Sequence, residues 1–345
     1  MTNTSKTRRE GSVDTLRGLA AMLVLFHHIE LPFRQFALGD FGRIGVLLFF
    51  IISGYCIFLS LLNSSNTSNS YKNLYTFLIR RLFRLYPIYW VSVLAIAIFT
   101  AHTYDLVTII LNFTMIQYAF SVGDINGVYW TLFIEIIFYF FISILLICGI
   151  QINRKTALSL LYGFLSIAII LAAVRNITVL PIPFAHVVFI STFFLGGVFY
   201  FNAKEKLPAI NTIWHGIIFV LAILLISYFV YADTSKGSTT MDYNLLSYFG
   251  NYLIAVTIFI IGTLFIPVST SLTTYLGLFS YGIYLFQGIV IELMPSILKN
   301  FIIAKCAWAI CVTIFVSGIL HYVVERPSIQ YGRLLLKYFE KQNKA

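Results

Sequence analysis

Runs of about 20 apolar residues, the length that crosses the hydrocarbon core of a bilayer as a helix, recur ten times along this chain. They extend from Val13 to about Phe33, Gly45 to Leu62, Leu85 to Thr100, Val128 to Ile150, Ala157 to Val174, Pro183 to Phe201, Ile213 to Tyr231, Leu245 to Ile266, Tyr275 to Met294 and Phe301 to Val324. Leu85 to Thr100 is the shortest. Composition follows the same line: 59% of the 345 residues are hydrophobic and 10% are charged, whereas a soluble domain has about 25% charged residues. A water-soluble globule is excluded, and the expected fold is an all-α polytopic membrane protein with about ten transmembrane helices. A further apolar stretch, Leu106 to Phe120, is too short to span and reads as a re-entrant or interfacial helix. The first run has no small-residue cleavage pattern, which fits a retained span rather than a signal peptide. The chain thus divides into an N-terminal segment (1–12), a membrane domain (13–327) and a basic tail (328–345), with a short Asn/Ser/Thr-rich linker from Asn63 to Ser70. Cys56, Cys148, Cys306 and Cys311 lie in apolar runs without metal-ligand or disulfide-framework spacing and read as packing residues.

Orientation follows from the basic residues in alternate connections, because cytoplasmic loops retain Lys and Arg. One side receives 17 of them, including Arg17, the Lys72 to Arg84 group, Arg154, Lys155 and the tail, and the other receives 6. Both termini are placed in the cytoplasm, and the segment from Ala101 to Gly127, which has no Lys or Arg, is placed outside. The formal charge of +10 is absorbed by this asymmetry, so membrane lipid rather than nucleic acid is the expected polyanionic partner.

Charges within a span are costly unless they face the protein interior or water, and each marks a candidate site. In the first run Arg17 and His28 are eleven residues apart, which puts them within about 20° on one helical face and about 16 Å apart along the axis. Asp14 precedes them, and His27 points about 80° away. Arg81 and Arg84, in the run Arg80-Arg81-Leu82-Phe83-Arg84-Leu85-Tyr86-Pro87, share a face by their i, i+3 spacing. Paired guanidinium forks suit phosphate, while positive-inside anchoring explains the same residues without a ligand. Glu135 follows Trp130, with Tyr139 one turn on; a carboxylate there can orient a histidine, bind a hydroxyl, or sit neutral in a hydrogen-bonded core. Ser280, Tyr281, Tyr284 and Gln287 form a polar stripe that fits helix-helix hydrogen bonding as well as it fits a binding site. Glu325-Arg326-Pro327 ends the last run, with Pro327 expected to stop the helix.

In combination these segments resemble the acyltransferase-3 family of integral membrane acyltransferases. The resemblance rests on Asp14-Thr15-Leu16-Arg17-Gly18 with His28 eleven residues after Arg17, and on Gly42 to Tyr55. Arg81-x-x-Arg84-x-x-Pro87, Trp130 followed by Glu135 and Phe138-Tyr139, Ser280 to Leu285, and Glu325-Arg326-Pro327 then follow in the family's order. It implies transfer of an acetyl group from cytoplasmic acetyl-CoA to a sugar hydroxyl of a bacterial surface glycan, such as O-antigen, lipopolysaccharide or exopolysaccharide, at the inner membrane. His28 corresponds to the family's essential histidine, with Arg17 in the same functional set and Glu135 beside the chemistry. Arg81 and Arg84 correspond to the arginine pair associated with the acyl-CoA donor. Trp130, Tyr139, Tyr284 and Gln287 are the expected substrate contacts, Gln287 standing where relatives often have histidine. No metal is implied. The neutral imidazole is expected to act as general base on the acceptor hydroxyl or to take the acyl group itself. The rival class is a proton-coupled transporter or flippase for an anionic or glycolipid substrate, in which Arg17, His28, Glu135 and Glu292 line a path.

Overall fold

The computed structural model describes residues 4–31, 33–62, 70–99, 103–178, 180, 182–231, 244–266 and 269–342. Apart from Ser70, the linker expected at 63–70 lies outside them. The described chain is helical almost throughout, with one two-stranded hairpin, Gln35–Phe36 paired to Gly39–Asp40 in antiparallel register. Among the described residues nine helices are long and apolar enough to cross a membrane. The tenth expected span is α1 (Thr4–His28), which carries Asp14 and Arg17 within it. The chain is an all-α polytopic membrane protein, and it divides into two compact units: Met1–Ser60 with Gln151–Gly277, and Leu61–Ile150 with Leu278–Ala345.

The first unit contains α1, α2 (Phe41–Leu62, up to Ser60), α6 (Arg154–Thr178), α7 (Phe184–Lys204), α8 (Ala209–Tyr231), α9 (Leu245–Ile260) and the start of α10 (Ser271–Glu292). Its core helix is α7, where every residue from Val188 to Asn202 is buried, the signature of a helix surrounded by other helices. It packs on α6 and α8 and crosses α2 at backbone contact. A Cβ placed on Gly54 would overlap the Phe193 carbonyl oxygen, and one on Gly196 would overlap the Ile51 carbonyl oxygen. Small residues at such crossings let two backbones approach in a solvent that supplies no hydrophobic drive. Phe50 stacks on Phe193 beside the crossing, with ring centroids 4.7 Å apart. The helix α1 stops earlier than its apolar run, because Glu30 takes a left-handed conformation (φ 61°) two residues past His28 and Pro32 follows in sequence.

The second unit contains α3 (Ser70–Phe99), α4 (Leu106–Asn112), α5 (Trp130–Ile147), the rest of α10, α11 (Ser296–Lys299), α12 (Ile302–Leu320) and α13 (Arg326–Gln342). Three expectations are corrected here. The short run Leu85 to Thr100 is the end of a 30-residue helix, which continues back through the arginine cluster because Pro87 is accommodated inside it. Leu106 to Phe120 is not one helix: α4 ends at Asn112, Met115 is left-handed (φ 63°), and a 3₁₀ turn covers Gln117–Phe120. The Thr114 hydroxyl, donating to the Leu111 carbonyl at 2.6 Å and accepting from the Ile116 amide at 3.2 Å, offers the backbone an alternative to helix. Pro327 does not stop the last span either. A π-helical turn, His321–Glu325, joins α12 to α13 without a break, and Pro327, whose missing N–H interrupts the helical hydrogen-bond ladder, lies two residues past that turn. Along α3, Tyr86 and Trp90 donate to the Thr114 and Phe113 carbonyls at 3.0 Å each, and Tyr89 donates to Asn112, so the carbonyls freed at the end of α4 are met by side chains.

The α2–α7 crossing yields a direct test. Gly54→Ala and Gly196→Ala are each expected to destabilise the protein by about 1–3 kcal/mol through backbone overlap. Gly163→Ala in α6, where a Cβ meets nothing within 4 Å, should be neutral or stabilising by helix propensity. Thermal unfolding in detergent reads all three, and equal tolerance would contradict the crossing geometry.

Candidate active site

In the first unit the candidate chemistry is carried on α1. The helix is unbroken from Arg17 to His28, so the shared face expected from their spacing is present. Asp14 and Arg17 approach at 3.8 Å. His28 Nδ1 hydrogen-bonds the Val24 carbonyl at 2.9 Å. A carbonyl can only accept, so Nδ1 carries the hydrogen and Nε2 carries the lone pair, which fixes the tautomer a general base needs. His27 meets His28 edge to face, with centroids 5.3 Å apart, and its own Nδ1 lies 3.4 Å from Asp40 Oδ1.

Asp40 was not singled out in the sequence. It is 3% exposed and caps α2 by accepting the Arg43 amide at 2.7 Å, while its own amide donates to the Asn251 side chain of α9 at 2.9 Å. It thereby holds the hairpin, α2 and α9 together beside His27. The sequence separation of 211 residues between Asp40 and Asn251 hides this junction from any local pattern. A second feature of this unit is a cavity of about 200 Å³ lined by Tyr55, Phe199, Asn202, Thr212, Phe259 and Thr263 among others; none of the expected site residues lines it.

In the second unit three of the expected residues come together. The Arg81 guanidinium lies over the rings of Phe77 and Tyr139, 5.7 and 5.9 Å from their centroids, and the two rings meet edge to face at 5.6 Å. Tyr139 in turn donates its hydroxyl to Glu135 Oε1. Cation–π contact with two adjoining rings orients a guanidinium without consuming its N–H groups, and Arg81 Nε is buried with no hydrogen-bond partner among the described residues. Arg84 is half-buried three residues further along α3. Phe77 is the residue missed here, although its i, i+4 spacing to Arg81 was readable.

The other expected contacts are placed as follows. Tyr284 is buried, its hydroxyl 2.7 Å from Thr131 Oγ1 and donating to the Val128 carbonyl at 3.2 Å, which ties α10 to the start of α5. Tyr281 donates to the Leu85 carbonyl at 3.2 Å, close to Pro87. Gln287 is fully buried; its amide donates to the Tyr284 carbonyl at 3.2 Å, and Oε1 has no partner among the described residues. Trp130 opens α5 and is partly exposed. The loop before it is ordered by side chains. Asn112, fully buried, donates to the Thr108 and Gly123 carbonyls and accepts from the Ile125 amide, and Asp124 accepts from Gln117 and from Tyr118. Burial raises the Asp124 carboxyl above the usual carboxylate range, and burial with the bond to Asp124 pushes the Tyr118 phenol up to about 12.

The capping role of Asp40 generates a prediction. Asp40→Ala should lower stability by about 1–2 kcal/mol through loss of the α2 cap, whereas Asp40→Asn, which keeps a capping oxygen, should lose much less. Denaturation of the two variants in parallel checks this, and equal losses would contradict it.

Comparison with known proteins returns one match. The family described as "Acyltransferase domain" matches residues 10–322. No curated protein and no solved structure matches the chain. The matched segment takes in α1 with Arg17 and His28, the α3 arginines, Glu135 and Tyr139 on α5 and the α10 stripe, and the chain therefore belongs to the acyltransferase 3 family.

Proposed function

We propose that this membrane acyltransferase moves an acetyl group from cytoplasmic acetyl-CoA to a sugar hydroxyl of a bacterial surface glycan, O-antigen or exopolysaccharide, from the inner membrane with both termini in the cytoplasm. The observation that carries the chemical reading is the tautomer of His28, whose Nδ1 is bound to the Val24 carbonyl. An imidazole held this way presents Nε2 as a base. It takes the proton from a hydroxyl as the oxygen attacks the thioester carbonyl. Arg17, on the same face of α1 but about 16 Å from His28 along the axis, is too far to touch the oxyanion and acts instead on the anionic donor.

The donor's phosphates suit Arg81 and Arg84. Arg81 is already oriented by two aromatic rings, so little side-chain entropy is lost when it meets a phosphoryl group. Pantetheine, about 15–20 Å long when extended, separates these phosphates from the thioester, which is why phosphate binding and acyl chemistry need different residues. Glu135 and Tyr139 act as one hydrogen-bonded unit that positions the donor or acceptor, with Trp130, Tyr284 and Gln287 as further substrate contacts. The asymmetry of 17 basic residues against 6 supports the sidedness. The family membership disfavours the transporter reading.

The test compares surface polysaccharide from cells with the wild-type gene, no gene, or single variants, by proton NMR for alkali-labile O-acetyl signals. His28→Ala should reduce the signal at least about 100-fold with the protein still in the membrane, and His27→Ala should be much milder. Arg81→Ala should raise the acetyl-CoA concentration needed for half-maximal transfer by about tenfold or more. Unchanged O-acetylation in the His28 variant would overturn the reading.

A further inference from the structure

Within the first unit, α1 and α2 are joined by the hairpin of Gln35–Phe36 and Gly39–Asp40. A lone two-stranded hairpin is marginal by itself, and this one is fixed from outside. The Phe41 amide donates to the Arg34 carbonyl at 3.1 Å, and the Arg34 amide donates to the Leu31 carbonyl at 3.0 Å. The Asp40 amide is bound to the Asn251 side chain, and a Cβ on Gly250 would overlap the Leu38 carbonyl oxygen, so the hairpin lies against the backbone of α9. On this fixed frame the outward side chains are apolar. Phe33 is 61% exposed, Phe36 39% and Leu38 44%. Phe33 and Phe36 both meet the Phe41 ring, with centroids 6.2 and 5.9 Å away, and Arg34 follows Phe33 in sequence.

Ordering a loop costs conformational entropy, and exposed phenylalanine gains nothing from water. A bilayer surface accommodates both features. Non-helical backbone exposed to lipid is excluded from the hydrocarbon, which sets the hairpin at the level of the headgroups. From there Phe33, Phe36 and Leu38 reach acyl chains, and Arg34 stands among phosphates. Arg34 Nη1 approaches Glu30 Oε1 at 3.4 Å, with side chains 34% and 68% exposed. Such a surface pair contributes little and leaves a guanidinium with donors to spare. What separates this patch from an ordinary interfacial loop is its neighbour. The hairpin follows the turn that ends α1 at His28, and the Arg34 charge acts on the rings of both His27 and His28. A phosphate held on Arg34 brings the group it carries to the side of the base.

We propose that this hairpin docks the lipid anchor of the acceptor: Phe33, Phe36 and Leu38 hold the hydrocarbon chain, and Arg34 holds the phosphate that joins the chain to the glycan. The role rests on the acyl-transfer reading, with the α1–α2 connection at the outer face, and it narrows that reading. The substrate is a phosphate-linked lipid glycan in the membrane, and free polysaccharide in water is a poor one. Anchoring holds the sugar hydroxyl beside His28, so less orientational freedom is lost when it attacks the thioester.

The test assays the reconstituted full chain with two acceptors, the host glycan still on its lipid phosphate and the same glycan released by mild acid. Docking predicts that the wild type prefers the anchored form in kcat/KM by at least about 100-fold. Arg34→Gln, and Phe33→Ser combined with Phe36→Ser, should each cut that preference by about tenfold or more, through KM. A hairpin that only supports the end of α1 predicts proportional losses on both acceptors and an unchanged ratio. That result would overturn the proposal, as would a wild type that uses the released glycan equally well. If the wild type transfers no acyl group to either acceptor, the functional reading itself fails, and the dock is judged by binding. Dodecyl phosphate should then raise the melting temperature of the full chain in phosphatidylcholine nanodiscs, with dodecanol and inorganic phosphate inert and both variants unresponsive. The same rise in the variants, or an equal rise with phosphatidylglycerol, overturns the proposal.

Discussion

Hydrocarbon solvates neither a charge nor an unpaired peptide group, and nearly every feature of this chain follows from that constraint. The backbone answers it by closing into helices. Side chains answer it locally, within hydrogen-bonding reach. Tyr86, Tyr89 and Trp90 of α3 meet the carbonyls released where α4 ends, Asn112 gathers the loop around itself, and Asp40 accepts the Arg43 amide while its own amide donates to the Asn251 side chain. The groups left over stand out against this background of satisfied partners. They are His27 Nδ1 in the first unit and Arg81 Nε, Gln117 Oε1, Gln287 Oε1, Thr313 Oγ1 and Ser317 Oγ in the second, all buried without hydrogen-bond partners among the described residues.

The residues proposed for base chemistry and for donor phosphates lie in different local environments. One holds a histidine with a defined tautomer on a helix that also presents an arginine. The other holds a guanidinium packed against the adjoining rings of Phe77 and Tyr139, and a tyrosine bonded to a carboxylate. A base needs an unencumbered lone pair and a stable orientation, and the Val24 carbonyl supplies the orientation by occupying the other nitrogen. A phosphate site needs positive charge with its donors unspent, and aromatic faces position Arg81 without spending them.

Much of this was legible in the sequence because helices translate spacing directly into geometry. The shared face of Arg17 and His28, the Arg81–Arg84 pair and the Glu135–Tyr139 turn are all consequences of a 3.6-residue period. The His321–Glu325 pair and the Phe77–Arg81 contact had the same signal and went unread. What local spacing hides is tertiary: Asp40 and Asn251, or Arg81 and Tyr139, meet only when distant helices pack. Pro327, expected to end the last span, instead follows a π-helical turn that runs on into α13, and α3 extends back from its apolar run through the arginine cluster with Pro87 inside it. Conversely, the apolar composition of Leu106 to Phe120 suggested one helix where the Thr114 hydroxyl and a left-handed Met115 make a turn.

The central claim is that this chain spends acyl-CoA to esterify a glycan, using His28. The most direct measurement incubates the purified, reconstituted protein with acetyl-CoA labelled in the acetyl group and with the surface glycan of its host. Free thiol release and label in the glycan are followed together, for wild type and His28→Ala. The account predicts one thiol released for each acetyl ester formed in the wild type, and neither in the variant. Glycan carried across the vesicle membrane with the thioester intact, or esters formed equally well without His28, would contradict it.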